Sequence, residues 1–350
     1  MLAAGFRSCC RSARNATAIL LACSPGLQAA AGLNDVQETP AAAVADSERD
    51  FDRLDASAGL RSGGAFPFDY QHLVFFDVDS EGRPSELANL WTAASVQAGR
   101  LRPVFDDGWN YSLDMTVSLF DADSLLARTQ TRISYKLGAR LDPDTQDGFP
   151  IHALLRVPAG EYDYQMVIRD NNWEGERSVN RKTGRLVVPP SVYTQPFVSS
   201  VAIAADSGGS WSPTPDMKLM LNAARIVQSD GSPFVYFEAY GLTPGAAYRG
   251  EVRLVSRWVS RGQGERFEGG YQPFQLQYRG TVPGDPSVPV RKLLRLDLTD
   301  THAGPYEVQI RVRDLETGRV SEVRSARLKV RDPDHRRLVV PITEVRDDEL

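Results

Sequence analysis

Twelve residues near the middle of the chain, AGEYDYQMVIRD at 159–170, return 144 positions later as AGPYEVQIRVRD at 303–314. Six pairs are identical: Ala159/Ala303, Gly160/Gly304, Tyr162/Tyr306, Gln165/Gln309, Arg169/Arg313 and Asp170/Asp314. Tyr162, Tyr164, Met166 and Ile168 in the first copy, and Tyr306, Val308, Ile310 and Val312 in the second, occupy alternate positions, the period of a half-buried strand. A strand repeated in the same phase marks two tandem domains that each bury it in the same way. The Gly two residues ahead of each Tyr sets a tight corner, and an Ig-type sandwich places a Tyr at the start of its sixth strand so that the hydroxyl bonds back to that corner. Tyr162 and Tyr306 are therefore predicted to be structural tyrosine corners.

The rest of the chain supports that reading from residue 66 onward. Short alternating runs separated by Gly, Pro, Asn and Asp predict strands at 72–78, 87–96, 111–120, 130–137, 152–157, 162–169 and 185–188. A second set follows at 198–204, 218–222, 234–240, 251–258, 272–278, 292–298, 306–313 and 326–330. Asp107-Gly108 and Glu81-Gly82 read as hairpin turns. The fold class expected is all-β: two tandem Ig-like or fibronectin-III-like antiparallel β-sandwiches, at 66–190 and 197–331, with a C-terminal tail at 332–350. The first carries 13 basic and 18 acidic residues and the second 18 and 14, so opposite net charges are expected to help them dock side by side.

Ahead of the sandwiches, Arg7, Arg11 and Arg14 precede the short apolar run ATAILLA at 16–22, the pattern of an export signal too short to span a bilayer. Two processing routes are open. Leu20-Leu21-Ala22-Cys23 resembles a bacterial lipobox, which would make 1–23 a lipoprotein signal and Cys23 the lipid attachment; Ala29-Ala30-Ala31 offers ordinary cleavage near residue 31. Residues 24–65, Ala-rich and acidic with few large apolar side chains, read as a disordered tether. The expected location is the periplasm, outer membrane or cell surface, with any membrane contact made through the N-terminal lipid.

The segments LRVPAGEYDYQMVIRDNNWEGERSVNRKTGRLVVP (155–189), VSSVAIAADSGG (198–209) and SPFVYFEAYGLTPGAAYRGEVRL (232–254) resemble the β-sandwich portion of bacterial GWxTD-domain proteins. Val235-Tyr236-Phe237-Glu238 with Tyr240 is the most specific part of that likeness, which runs over roughly 66–330. The helical domain that names the family is absent: Gly108-Trp109-Asn110-Tyr111 lacks its Thr-Asp. The resemblance implies architecture and export, and no catalytic residues.

Signals for chemistry are sparse. The three cysteines, Cys9, Cys10 and Cys23, leave the sandwiches without a disulfide or thiolate site. His72, His152, His302 and His335 fall in separate elements, which argues against a His-based metal site or triad. GQGERF at 262–267 lacks the third Gly of a dinucleotide loop. Asp77, Asp79 and Glu81 imitate the start of a calcium loop, as Asp142, Asp144 and Asp147 do more loosely, but Ala88 stands where the bidentate Glu belongs. Trp109, Trp173, Trp211 and Trp258, with Tyr271 and Phe274, would form a sugar-stacking platform if they shared a face. A net charge of −5 argues against nucleic acid as a partner.

The function expected is that of an exported, non-enzymatic cell-envelope module binding an unknown protein partner, with no catalytic residues and no cofactor. The alternative is a carbohydrate-binding or carbohydrate-processing accessory module.

Overall fold

The computed structural model describes residues 66–122, 124–143, 148–174, 178–190, 195–257, 273–299 and 301–332. Cys23, the signal, the tether and the tail therefore lie outside the described residues, as do Trp258, Tyr271, Asp144, Asp147, His335 and the loop at 262–267. Among the described residues no helix is long and apolar enough to cross a membrane.

The first half contains β1 (Phe68–Val78), β2 (Pro84–Gln97), β3 (Val104–Phe105), β4 (Trp109–Asp121), β5 (Ser124–Leu137), β6 (Gly148–Pro158), β7 (Gly160–Asp170) and β8 (Val179–Val188). One sheet runs β1-β2-β6; the other runs β5-β4-β7-β8, with the two-residue β3 also on β4. This is the strand arrangement of a fibronectin-III-like sandwich. Leu113, Met115, Val117, Tyr164, Met166 and Ile168 from one sheet meet Val74, Phe76, Leu90, Ile151 and Val157 from the other in a common core.

The second half repeats the plan. Its strands are β9 (Phe197–Val198), β10 (Ala202–Thr214), β11 (Met217–Leu221), β12 (Ile226–Gln228), β13 (Phe234–Tyr240), β14 (Ala247–Ser256), β15 (Phe274–Thr281), β16 (Val290–Arg295), β17 (Gly304–Asp314) and β18 (Arg324–Arg331). They form a β11-β10-β13-β16 sheet, with β9 also on β13, and a β12-β18-β17-β14-β15 sheet. The two copies of the repeated stretch are β7 and β17, at the same position in each sandwich. Tyr162 Oη donates to Pro158 O at 2.9 Å and Tyr306 Oη to His302 O at 2.8 Å, each bond reaching four residues back. A Cβ on Gly160 would sit 2.7 Å from that Tyr162 hydroxyl, so glycine is what lets the ring fold over its corner.

The shared Asp closes the other end of the strand in both copies. Asp170 accepts the N–H of Asn172 at 3.0 Å and of Arg102 at 2.8 Å, while Asp314 accepts those of Glu316 and Thr243, each at 2.8 Å. Each carboxylate thus ties the turn after its strand to a loop arriving from the opposite sheet.

Most predicted strands shift at one end or both, β3 and β12 are not predicted, and two changes are the most informative. The strand expected over 198–204 is broken at Ser199–Val201 into β9 and β10, because Ser199 and Ser200 turn their bonds toward other strands. The strand expected over 130–137 begins at Ser124, six residues earlier, and pairs with β4 along its length.

Where opposite net charge is expected to help the sandwiches dock, the structure shows an apolar contact. The outer face of the β1-β2-β6 sheet lies on the outer face of the β11-β10-β13-β16 sheet, and an apolar layer fills the space between them. Leu73, Phe75 and Ala93 meet Ala202, Ala204, Trp211, Leu219, Leu221 and Tyr236 there. The four sheets are stacked, and the layer covers the outer face of β1 and β13 most fully, while β6, β11 and β16 keep exposed positions. Burying apolar surface is worth about 25 cal/mol per Å², and exposed charges on opposing faces contribute far less, so the layer dominates.

Candidate functional site

The junction between the two inner sheets holds a cleft. Its volume is about 180 Å³, and its lining includes Phe75, Asp77, Asn89, Trp91, Glu238 and Arg291. The β13 sequence explains why. Val235, Phe237 and Ala239 point into their own core, while the alternate residues Tyr236, Glu238 and Tyr240 face the first sandwich.

Glu238 is 4% exposed, and every oxygen of its carboxylate is engaged. Tyr236 Oη donates to Oε1 at 2.5 Å, Tyr240 Oη donates to Oε2 at 2.5 Å, and Arg291 Nε lies 3.4 Å from Oε1. Burial pushes the carboxyl above the usual glutamate range, against the opposing pull of Arg291 and the two phenols. Burial likewise pushes both phenols well above the ordinary tyrosine value, and the adjacent carboxylate adds to this.

This network reaches across the junction. Tyr240 Oη accepts the Phe76 N–H at 3.0 Å, Ser200 Oγ accepts the Val74 N–H at 2.8 Å, and Ser200 N–H donates to Val74 O at 3.1 Å. The edge of β1 is thereby bonded by groups from the second sandwich. Rings reinforce the contact, Phe75 lying 5.8 Å from both Trp211 and Tyr236, and Trp91 6.1 Å from Trp211. The VYFE-x-Y run thus assembles a joint. Sequence reading missed this role, although HLVFF (72–76) and FVYFEAY (234–240) carried the signal: unbroken apolar runs mark strands covered on both faces.

A raised carboxyl in a cleft has the makings of a general acid. Here Glu238 is held by three side chains of its own sandwich. The second carboxylate of the lining, Asp77, accepts Arg156 Nη2 at 2.9 Å and Asn89 Nδ2 at 3.0 Å. Both acids are committed to internal partners.

The calcium-like triplet is dispersed in the same way. Asp79 Oδ1 accepts the N–H groups of Glu81 and Arg83, each at 2.8 Å, to build the β1–β2 turn, and Glu81 pairs with Arg83. Among the described residues no group of three or more His, Cys, Asp or Glu side chains is placed to hold a metal ion. His72 Nδ1 bonds Thr92 Oγ1 at 2.9 Å inside the first sandwich, and its Nε2 is enclosed without a partner; burial, aided by Arg225, pushes the ring down to about 4. His152 lies tilted against Trp91, ring centres 5.5 Å apart, and the His302 carbonyl serves the second tyrosine corner.

The aromatic platform does not form as expected, because Trp211 is 0% exposed in the layer between the sandwiches. Trp109 and Trp173 do share one end of the first sandwich, where β4 begins and β7 ends. Phe105, 65% exposed, meets Trp109 edge-on at 5.3 Å, and the Arg140 guanidinium covers the Trp109 ring at 5.6 Å.

No known protein family and no curated protein matches this sequence. Solved structures with partial likeness include a calcium-binding mutant of Bacteroides uniformis β-glucuronidase 2, at 9% identity and a TM-score of 0.24, over 76% of this chain and 32% of that one. The BSP domain of a biofilm-associated protein matches at 9% identity and a TM-score of 0.20, over 82% and 55% of the two chains. The C-terminal domain of the Streptococcus agalactiae AgI/II polypeptide BspA matches at 10% identity and a TM-score of 0.19, over 74% and 99%. The chain thus spans about a third of the glucuronidase and about half of the biofilm protein's structure. At these scores the likeness carries no argument; the chain's own sheets make it an all-β protein of Ig-like sandwiches.

Proposed function

We propose that this protein is an exported, non-enzymatic module of a bacterial cell envelope that presents two rigidly joined sandwiches to a protein partner. The observation behind this reading is the junction, where the buried Glu238 is spent on holding Tyr236 and Tyr240, and the Tyr240 hydroxyl in turn bonds β1 of the first sandwich. What the fold leaves for function is the pair of outer sheets, their edges and the loop ends. Export rests on the N-terminal charge and apolar pattern, and anchoring on Cys23.

The test is photo-cross-linking in native cells from probes placed on the two outer sheets, followed by fractionation of wild type and Cys23→Ala. A partner captured from an outer sheet, with membrane association lost in the variant, is the expected result. A protein with no captured partner from any outer position would overturn the reading, and an unchanged distribution of the variant would remove the anchor.

A carbohydrate-binding reading retains one specific site, the end bearing Phe105, Trp109 and Trp173. Titration with envelope oligosaccharides, followed by tryptophan fluorescence in wild type and Phe105→Ala, separates the two. Saturable quenching lost in the variant would favour the sugar.

A further inference from the structure

The two outer sheets carry the same cross-strand row with one exchange. In the first sandwich Asp114 on β4 lies directly opposite Arg132 on β5 and Arg169 on β7. In the second, Arg249 on β14 lies directly opposite Arg279 on β15 and Arg313 on β17. The rows are equivalent, since Arg169 and Arg313 are paired positions of the repeated stretch. Where the first sandwich has a carboxylate between two arginines, the second has a third arginine.

The first row supplies its own carboxylate. Arg132 grips Asp114 with two bonds, Nε to Oδ1 at 2.6 Å and Nη2 to Oδ2 at 2.8 Å, and Gln130 Nε2 stands 3.4 Å from Oδ2. The Arg132 bond holds the Asp114 carboxyl below its ordinary range. The second row has three exposed guanidinium groups on neighbouring strands, about 4.8 Å apart by sheet geometry. Like charges directly opposite one another destabilise a sheet. The carboxylate two residues along β14 from Arg249, Glu251, is already held by Arg253 at 2.5 Å and by Arg311, directly opposite it, at 2.7 Å. Glu307, the next acid, accepts Gln309 Nε2 at 3.1 Å.

We infer that the Arg279–Arg249–Arg313 row is a docking site for a carboxylate that an acidic segment of a partner protein supplies from outside. The inference rests on the binding-module reading above and names the partner's chemistry. Two observations favour a polypeptide over an acidic glycan. The group that fills the equivalent row is an aspartate side chain, bound two-pronged in the geometry guanidinium favours. The row also ends on β15, the last strand of its sheet among the described residues, so an extended acidic segment laid along that edge brings a side chain into register with Arg279. The outward neighbours of the row on these strands are Gln275, Gln277, Glu251 and Arg311, which offer charge and hydrogen bonds and no flat ring for a sugar.

The test uses the full chain and a fluorescein-labelled octapeptide of alternating Glu and Thr, with the Gln–Thr peptide as control, read by fluorescence anisotropy. The acidic peptide is expected to bind and the control not to, with affinity falling as salt screens the row. Arg249→Asp rebuilds the row of the first sandwich: it should weaken the acidic peptide about tenfold or more while raising the melting temperature by about 2 °C. Arg181→Gln, on the outer face of the first sandwich, should leave binding unchanged. If Arg249→Asp does not fold, Arg279→Gln serves for the binding arm and should weaken the peptide about threefold.

Equal binding by wild type and variant, or a lowered melting temperature in a folded Arg249→Asp, overturns the inference. So does polygalacturonate or inorganic phosphate binding where the acidic peptide does not. If the peptide fails while cells yield a cross-linked partner elsewhere, only this inference is lost; a peptide that binds in the absence of any cellular partner leaves the row standing and removes the wider reading.

Discussion

Strands β13 and β17 lie in the same sandwich and obey different rules. Along FVYFEAY every residue after the first is buried, whereas GPYEVQIRVRD buries mainly alternate positions. The first belongs to an inner sheet with a protein layer on each side, the second to an outer sheet with solvent on one side. The difference teaches where this molecule keeps its stability and where it keeps its freedom: an inner strand such as β13 has almost no spare face, whereas β17 fills most of its free positions with charged or amide side chains.

The contrast is broken most severely at Trp211. Trp211→Ala empties the centre of the shared layer and should cost about 3–5 kcal/mol in denaturant unfolding, with calorimetry resolving two transitions where the wild type gives one. Next comes Tyr240→Phe, which strands both a Glu238 oxygen and the Phe76 N–H; a loss of about 1–3 kcal/mol is expected, again with weakened coupling between the halves.

The pH dependence sharpens the same contrast. His72 is held neutral, its folded value near 4 lying below the ordinary 6.5. The native state therefore binds fewer protons than the unfolded chain in that window, and stability falls as the pH is lowered from about 6.5 toward 4, by roughly 2 kcal/mol. His72→Gln should flatten this part of the profile. Glu238 acts in the opposite sense: its raised carboxyl favours the native state at low pH, and that contribution fades as pH rises through its folded value. The Glu238→Gln variant should lose this slope, which unfolding at stepped pH would reveal.

Smaller effects belong to the outer strands. Tyr162→Phe and Tyr306→Phe each delete one hydroxyl-to-carbonyl bond and should cost about 1 kcal/mol, nearly equal in the two sandwiches because the corners are equivalent. Gln277→Ser, on the exposed face of β15, should change stability by less than about 0.5 kcal/mol; a larger loss would mean the outer face is packed against something.

Legibility in the sequence follows the same division. The alternation in β7 and β17 exposed the two-sandwich plan because one wet face prints a period of two. The junction stayed hidden because burial on both faces erases that period, so HLVFF and FVYFEAY announced only that they were strands. Trp211 read as a surface candidate for a related reason: it sits on β10, whose register to β11 slips repeatedly between Ala204 and Thr214, so no alternation points its ring inward. The arginine row was present in the repeat as Arg169 and Arg313, but its meaning depends on Asp114 and Arg249, strands away in sequence, and only pairing brings them together.

The apolar layer also bears on how such a protein can be inherited. In a string of independent sandwiches, each unit can be copied, lost or shuffled by itself. Here a gene fragment encoding only one half would yield a sheet with Leu73, Phe75 and Trp91, or Trp211, Leu219 and Tyr236, left uncovered. Recombination that separated the halves would bare this layer and invite aggregation, so the pair is expected to travel as one heritable piece, with change tolerated best on the two outermost sheets.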